Sequence, residues 1–104
     1  MAETGFSEQG DGRWSLSGTL DFETVPALLG RVPAVVRTAG PVEIDLQAVT
    51  RADSAGLALL IECLRAADRS GNAVHFVNVP QQLLSIARVS GLQEILSLPA
   101  VGPA

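Results

Sequence analysis

The sequence predicts an α/β fold, a small mixed sheet of about four strands flanked by three to four helices, and three observations carry that prediction. Apolar residues recur with period two in some segments and at three- and four-residue steps in others, and the two patterns alternate along the chain. Strong breakers, among them Gly40-Pro41, Gly71-Asn72 and Gly91, separate those segments. The length of 104 residues suits one hydrophobic core and not two. The predicted order is β-β-α-β-α-β-α, with right-handed crossovers between parallel strands.

Residues 1–12 are polar and Gly-containing, and read as a flexible N-terminal segment or, with Phe6 pinning it, as an edge strand. The domain proper is expected over 13–98, followed by a Pro/Gly tail over 99–104. Arg13-Trp14-Ser15-Leu16-Ser17-Gly18 alternates as a half-buried strand does, with Trp14 and Leu16 facing the core. From Thr24 the spacing of Val25, Leu28, Leu29, Val32, Val35 and Val36 predicts an amphipathic helix with Thr24 as its N-cap and Pro26 in its first turn. Asp21 offers a second capping group. Pro33 removes a hydrogen bond and clashes with the preceding turn, so a kink or stop is expected near Arg31 and Val32.

Val42-Glu43-Ile44-Asp45-Leu46 alternates as the next strand, and a helix then starts at Asp53-Ser54 and runs to Arg69, closed by Gly71. Ala73-Val74-His75-Phe76-Val77-Asn78 is apolar enough to predict a central strand. Pro80 suits a first helical position, and Leu83, Leu84, Ile86, Ala87 and Val89 mark a helix closed by Gly91. Leu92, Ile95, Leu96 and Leu98 form a last short apolar element.

Composition narrows the function. Apolar residues make up 47% of the chain and charged residues 17%, which excludes the disordered class. With a net charge of −4, no lysine, and arginines scattered at 13, 31, 37, 51, 65, 69 and 88, the chain carries no basic patch for nucleic acid or anionic lipid. The first residues lack the basic and apolar runs of a signal peptide, so a cytoplasmic protein is expected. Its longest apolar stretch, Leu57 to Ile61, is far below the roughly 20 residues of a membrane span, so any membrane association runs through a partner.

Chemistry is equally restricted. Cys63 has no second cysteine, and with His75 alone beside it no zinc ligand set forms, so neither metal nor cofactor is expected. Ser54 lacks a base, because His75 falls inside a strand, and the glycines form no phosphate loop. No catalytic residue is assigned. Asp21, Asp45 and Asp53 are not read as an acid pair.

The segment from Leu46 to Leu57 leads from a strand end into a helix start, where α/β folds place functional groups and unpaired amides favour anions. Asp53 or Ser54 is either only the N-cap, with Gly56 permitting close packing, or part of a partner interface in which Ser54 is exposed and open to phosphorylation. On the helix wheel Leu57, Leu60, Ile61 and Leu64 form the core face, and Glu62, Arg65 and Arg69 a solvated one. Ala55, Leu59, Cys63 and Ala66 lie on a third arc, either buried under neighbouring elements or forming a flat docking surface beside Ser54.

Leu16-Ser17-Gly18-Thr19-Leu20-Asp21, Val42-Glu43-Ile44-Asp45-Leu46 and Asp53-Ser54-Ala55-Gly56-Leu57 together resemble the STAS domain of anti-sigma-factor antagonists, over about residues 13–98. Ala58-Leu59-Leu60 and the Gly71-Asn72 turn look most like the STAS subunit of the Mla phospholipid-transport complex. That resemblance implies a non-enzymatic cytoplasmic protein that binds and supports the ATPase subunit of an ABC transporter, peripheral to the inner membrane through that partner. The alternative it carries is an anti-sigma factor antagonist switched by phosphorylation of Ser54, with an anti-sigma factor serine kinase as partner. Ser54 matches the family's Ser/Thr position, Asp53 and Gly56 match its neighbours, and Ala55 stands where antagonists often carry Ser or Gly. Asp53, Ala55, Gly56, Leu59 and Cys63 are therefore the expected partner-binding residues around Ser54.

Overall fold

The computed structural model of the protein describes residues 4–94 and residue 96. Eight elements follow one another: β1 (Gly5–Gly10), β2 (Arg13–Leu20), α1 (Val25–Leu29), α2 (Val32–Thr38), β3 (Val42–Ala52), α3 (Ser54–Ser70), β4 (Val74–Val77) and α4 (Gln81–Val89). The strands form a mixed sheet in the order β1-β2-β3-β4, antiparallel between β1 and β2 and parallel elsewhere. The expected tail, and Ile95 and Leu98 of the last apolar element, lie outside the described residues.

The sheet begins as a hairpin. Asp11 and Gly12 both take positive φ, 53° and 77°, as the two central residues of a type I′ turn require, and Asp-Gly is a preferred pair for that turn. The turn matches the twist of the flanking strands and sets Phe6 opposite Leu16. Leu16 and Leu20 are fully buried on the core face of β2, while Trp14 is half-buried at its rim. There it stacks on Phe6, with ring centroids 4.7 Å apart, and the Arg31 guanidinium lies 5.8 Å from the Phe6 centroid.

The helical segment after Asp21 divides at Gly30-Arg31, as Pro33 demands. The break moves Pro33 from a helix interior to the first turn of α2, where the missing N–H costs nothing. Thr24 does not cap α1 with its side chain. Asp21 does that work: its Oδ1 accepts from the Glu23 and Thr24 amides at 2.9 and 3.0 Å, while the Thr24 hydroxyl donates to the Thr19 carbonyl at 2.7 Å.

Two further expectations are corrected. Pro80 is the N-cap of α4, with extended backbone, rather than its first helical residue. And β4 is an edge strand, not a central one: β2 already occupies one side of β3, so the crossover through α3 sets β4 on the other, paired only with Val42–Asp45. Val74, Phe76 and Val77 are half-buried there, and His75 is exposed.

The core lies between the sheet and the helices. Val32 and Val36 of α2, Ile44 and Leu46 of β3, Leu59, Leu60 and Cys63 of α3 and Leu83 of α4 are essentially inaccessible to solvent. Side chains of this size contribute roughly 1.5–3 kcal/mol each on burial. Asn72, one residue past the α3 C-cap, donates from Nδ2 to the Val36 and Arg37 carbonyls at 2.9 and 2.8 Å, and so ties the end of α2 to the end of α3.

Candidate docking face at the carboxyl edge of the sheet

Parallel pairing brings the ends of β2 and β3 together. Leu20 lies opposite Ala52, and the Asp53 amide donates to the Leu20 carbonyl at 3.1 Å. The loop after β2 and the start of α3 therefore emerge side by side. The start of α4 joins them, because Gln82 Oε1 accepts from the Ala52 amide at 2.9 Å.

Asp53, in extended conformation, is the N-cap of α3, and its Oδ1 accepts from the Ala55 amide at 2.8 Å. Ser54 is the first helical residue and is exposed, and among the described residues its hydroxyl has no hydrogen-bond partner. Gly56 faces the sheet. A Cβ there would lie 3.1 Å from Leu20 Cβ and 3.4 Å from Leu83 Cδ2, so a side chain would wedge α3 away from β2 and α4.

The apolar arc is not an outer surface. Ala55, Leu59, Cys63 and Ala66 are all buried, Leu59 and Cys63 completely, where α1 and α2 pack on α3. At about 100° per residue, Leu59 and Cys63 stand about 140° and about 180° around the helix from Ser54, so they cannot share its outlook. Burial also pushes the Cys63 thiol up to about 12, with a smaller contribution from Glu62, which leaves it protonated at neutral pH. Ile61 and Leu64, placed on the core face by the wheel, are half-buried beside Leu92 and Leu96.

What does lie beside Ser54 is a shallow apolar groove between α1 and α3, lined by Phe22, Val25, Pro26, Leu29, Ala55 and Ala58. Phe22 is 74% exposed and Leu29 41% exposed, large values for side chains that gain most from burial. Ala58 is exposed one turn along from Ser54. Phe22, Pro26, Leu29 and Ala58 are not among the residues the sequence marks as a site, although Phe22 sits beside the Leu20-Asp21 strand end and Ala58 is four residues from Ser54.

The carboxylates have local work. Asp21 is held below its usual range by the Thr24 amide first and the Glu23 amide second. Asp45 Oδ1 accepts from the Gln47 amide and from Asn78 Nδ2. Among the described residues no group of His, Cys, Asp and Glu is arranged to hold a metal ion, and no helix is long and apolar enough to cross a membrane.

Comparison with known proteins agrees with this geometry. The chain is similar to a chain of the Acinetobacter MlaFEDB complex in an ATP-bound conformation, with 30% identity over 86% of this chain and 95% of that one and a TM-score of 0.72. It is similar to an anti-sigma factor antagonist from Mycobacterium paratuberculosis, with 26% identity over 99% of this chain and 87% of that one and a TM-score of 0.69. The unphosphorylated anti-sigma factor antagonist SpoIIAA shares the fold, at 14% identity over 88% of this chain and 84% of that one and a TM-score of 0.69. No curated protein sequence matches the chain. A family model described as "Mlab, STAS domain" matches residues 5–98. With the mixed sheet, the exposed serine at the start of α3 and that match over most of its length, the chain belongs to the STAS domain family.

Proposed function

We propose that this protein is a non-enzymatic, cytoplasmic STAS subunit that binds and supports the ATPase of an ABC-type phospholipid transporter, and is held at the inner membrane through that partner. The observation that carries the reading is the pairing of an exposed, unpartnered Ser54 with the apolar groove of Phe22, Pro26, Leu29 and Ala58. A polar centre beside solvent-facing aromatic and aliphatic side chains is the anatomy of a protein interface. Likeness to a chain of the MlaFEDB complex supports the choice of partner. On this reading Asp53 positions Ser54, Gly56 seats α3 and Ala55 lines the groove, while Leu59 and Cys63 act from beneath the surface.

Affinity purification of the tagged full chain from its source cells should recover an ABC ATPase. Ser54→Arg should abolish recovery while leaving the melting temperature within about 2 °C, since surface changes away from buried features usually stay within ±0.5 kcal/mol. Recovery of a serine kinase in place of the ATPase would overturn the reading.

A second reading rests on the Ser54 hydroxyl itself, which is free to accept a phosphoryl group. Phosphorylation would add about −1.5 to −2 charges beside Asp53 and turn the protein into a switched antagonist of an anti-sigma factor. Intact-mass measurement of cell-derived protein, with mapping to Ser54, tests it, and absence of the modified species across growth phases counts against it.

A further inference from the structure

Arginines that are scattered in the sequence converge in the fold. Arg37 of α2 and Arg65 and Arg69 of α3 surround one groove of about 380 Å³ between the two helices, over a floor that includes buried Pro33 and Ala66. The absence of a basic patch expected from the sequence is thus corrected: helices separated in the chain run side by side and bring three arginines to one groove. Among the described residues Glu62 is the one carboxylate on the groove, and it pairs with Arg65 at 3.5 Å. Arg37 and Arg69 have no ion pair among the described residues. Three guanidiniums against one carboxylate leave the groove at +2 in a chain of net charge −4, so the rest of the molecule carries −6.

Such segregation is not needed for folding. A cation in the last turn of a helix is favoured by the helix dipole, which accounts for a basic residue at the end of each of α2 and α3. It does not account for their facing one another across an open groove, where like charges repel. The groove is also continuous with the face around Ser54, because Leu29 and Ala58 line both. From Ser54 to Arg69 the tract runs about 22 Å along α3, the reach of about seven extended residues.

We propose that this groove takes an acidic segment of the same partner protein that docks at Ser54. The occupant is an extended stretch with two or more carboxylates, bound by the guanidinium forks of Arg37 and Arg69 and resting apolar atoms on Pro33 and Ala66. Guanidinium matches carboxylate in a two-bond geometry that an ammonium cannot reproduce. The proposal rests on the docking reading above, and adds the charge that the partner must present.

The test measures binding of the full chain to the co-purified ATPase across a salt series. Arg37→Glu with Arg69→Glu, both at exposed positions, should weaken binding about tenfold and flatten its salt dependence, with a melting temperature a few degrees lower because both helix ends lose a cation that the dipole favours. The milder Arg37→Gln with Arg69→Gln pair should give a smaller loss in the same direction, and serves if the reversal impairs folding. Wild-type affinity for both double variants, with binding still abolished by Ser54→Arg, overturns the groove and leaves the docking reading standing. Indifference to Ser54→Arg overturns that reading instead. A fluorescein-labelled hexaglutamate peptide should bind the isolated chain and lose affinity in the double variants. Binding of inorganic phosphate or phosphatidylglycerol vesicles with no binding of the peptide would reject a protein segment as the occupant.

Discussion

Replacing Asp53 by alanine separates the two jobs this residue has been given. Its Oδ1 accepts a charge-assisted hydrogen bond from the Ala55 amide at 2.8 Å, one of the donors that the start of α3 leaves without a helical partner. Loss of an N-cap side chain costs about 1 kcal/mol, and loss of a carboxylate at the positive end of the helix adds about 0.5 kcal/mol. The sum is about 1.5 kcal/mol. At about 4 °C per kcal/mol for a domain of this size, Asp53→Ala should melt about 6 °C lower. Asp53→Asn keeps an acceptor oxygen and loses only the charge, so its drop should be about 2 °C. Thermal denaturation by circular dichroism, with ATPase binding measured well below both transitions, gives the two readouts. If Asp53 only positions Ser54, the asparagine variant binds as the wild type does. An asparagine variant as unstable as the alanine one, or an alanine variant as stable as the wild type, would refute the capping argument.

The remaining predictions concern sites away from the docking face or test its supports. Cys63, with its thiol pushed up to about 12 by burial, should react with iodoacetamide at pH 8 roughly a thousandfold more slowly than a free thiol, and rapid labelling of the native protein would contradict its placement. Asp21 has its folded pKa depressed by the Thr24 and Glu23 amides, so its contribution is present above the ordinary value of 3.8 and is lost as the pH falls through the folded value. Urea midpoints measured between pH 7 and pH 3 should therefore fall less steeply for Asp21→Asn than for the wild type, and parallel curves would argue against the cap. Asn72→Ala removes two hydrogen bonds to the end of α2 and should cost about 1–2 kcal/mol in urea denaturation, with binding at Ser54 unchanged. An unaltered midpoint would mean that water replaces both bonds without loss.

Some features were legible and others were written in the chain but unread. The helix opening at Ser54, its closure at Gly71 and the break at Gly30-Arg31 follow from local chemistry: a capping carboxylate, a glycine able to take φ 73°, and a proline that only a first turn tolerates. Asp11-Gly12 is as strong a local signal, and read as a type I′ turn it decides between the two readings of the N-terminal segment in favour of the edge strand. The helix wheel also held the answer to which residues accompany Ser54, since Ala58 lies about 40° from it and Cys63 opposite.

Local rules end where the neighbours of an element must be known. Sequence alone determined the alternation of strands and helices, the opening and closure of α3, and the likeness to STAS domains, because caps, turns and periodicity act within a few residues. Only the tertiary structure decided that β4 lies at an edge, that Leu59 and Cys63 are sealed beneath α1 and α2, and that Phe22 shares a groove with Ala55 and Ala58. It also decided that Arg37 faces Arg65 and Arg69. Each of these depends on parallel pairing and helix packing between segments distant in the chain, and burial is a property of what covers a residue rather than of the residue itself.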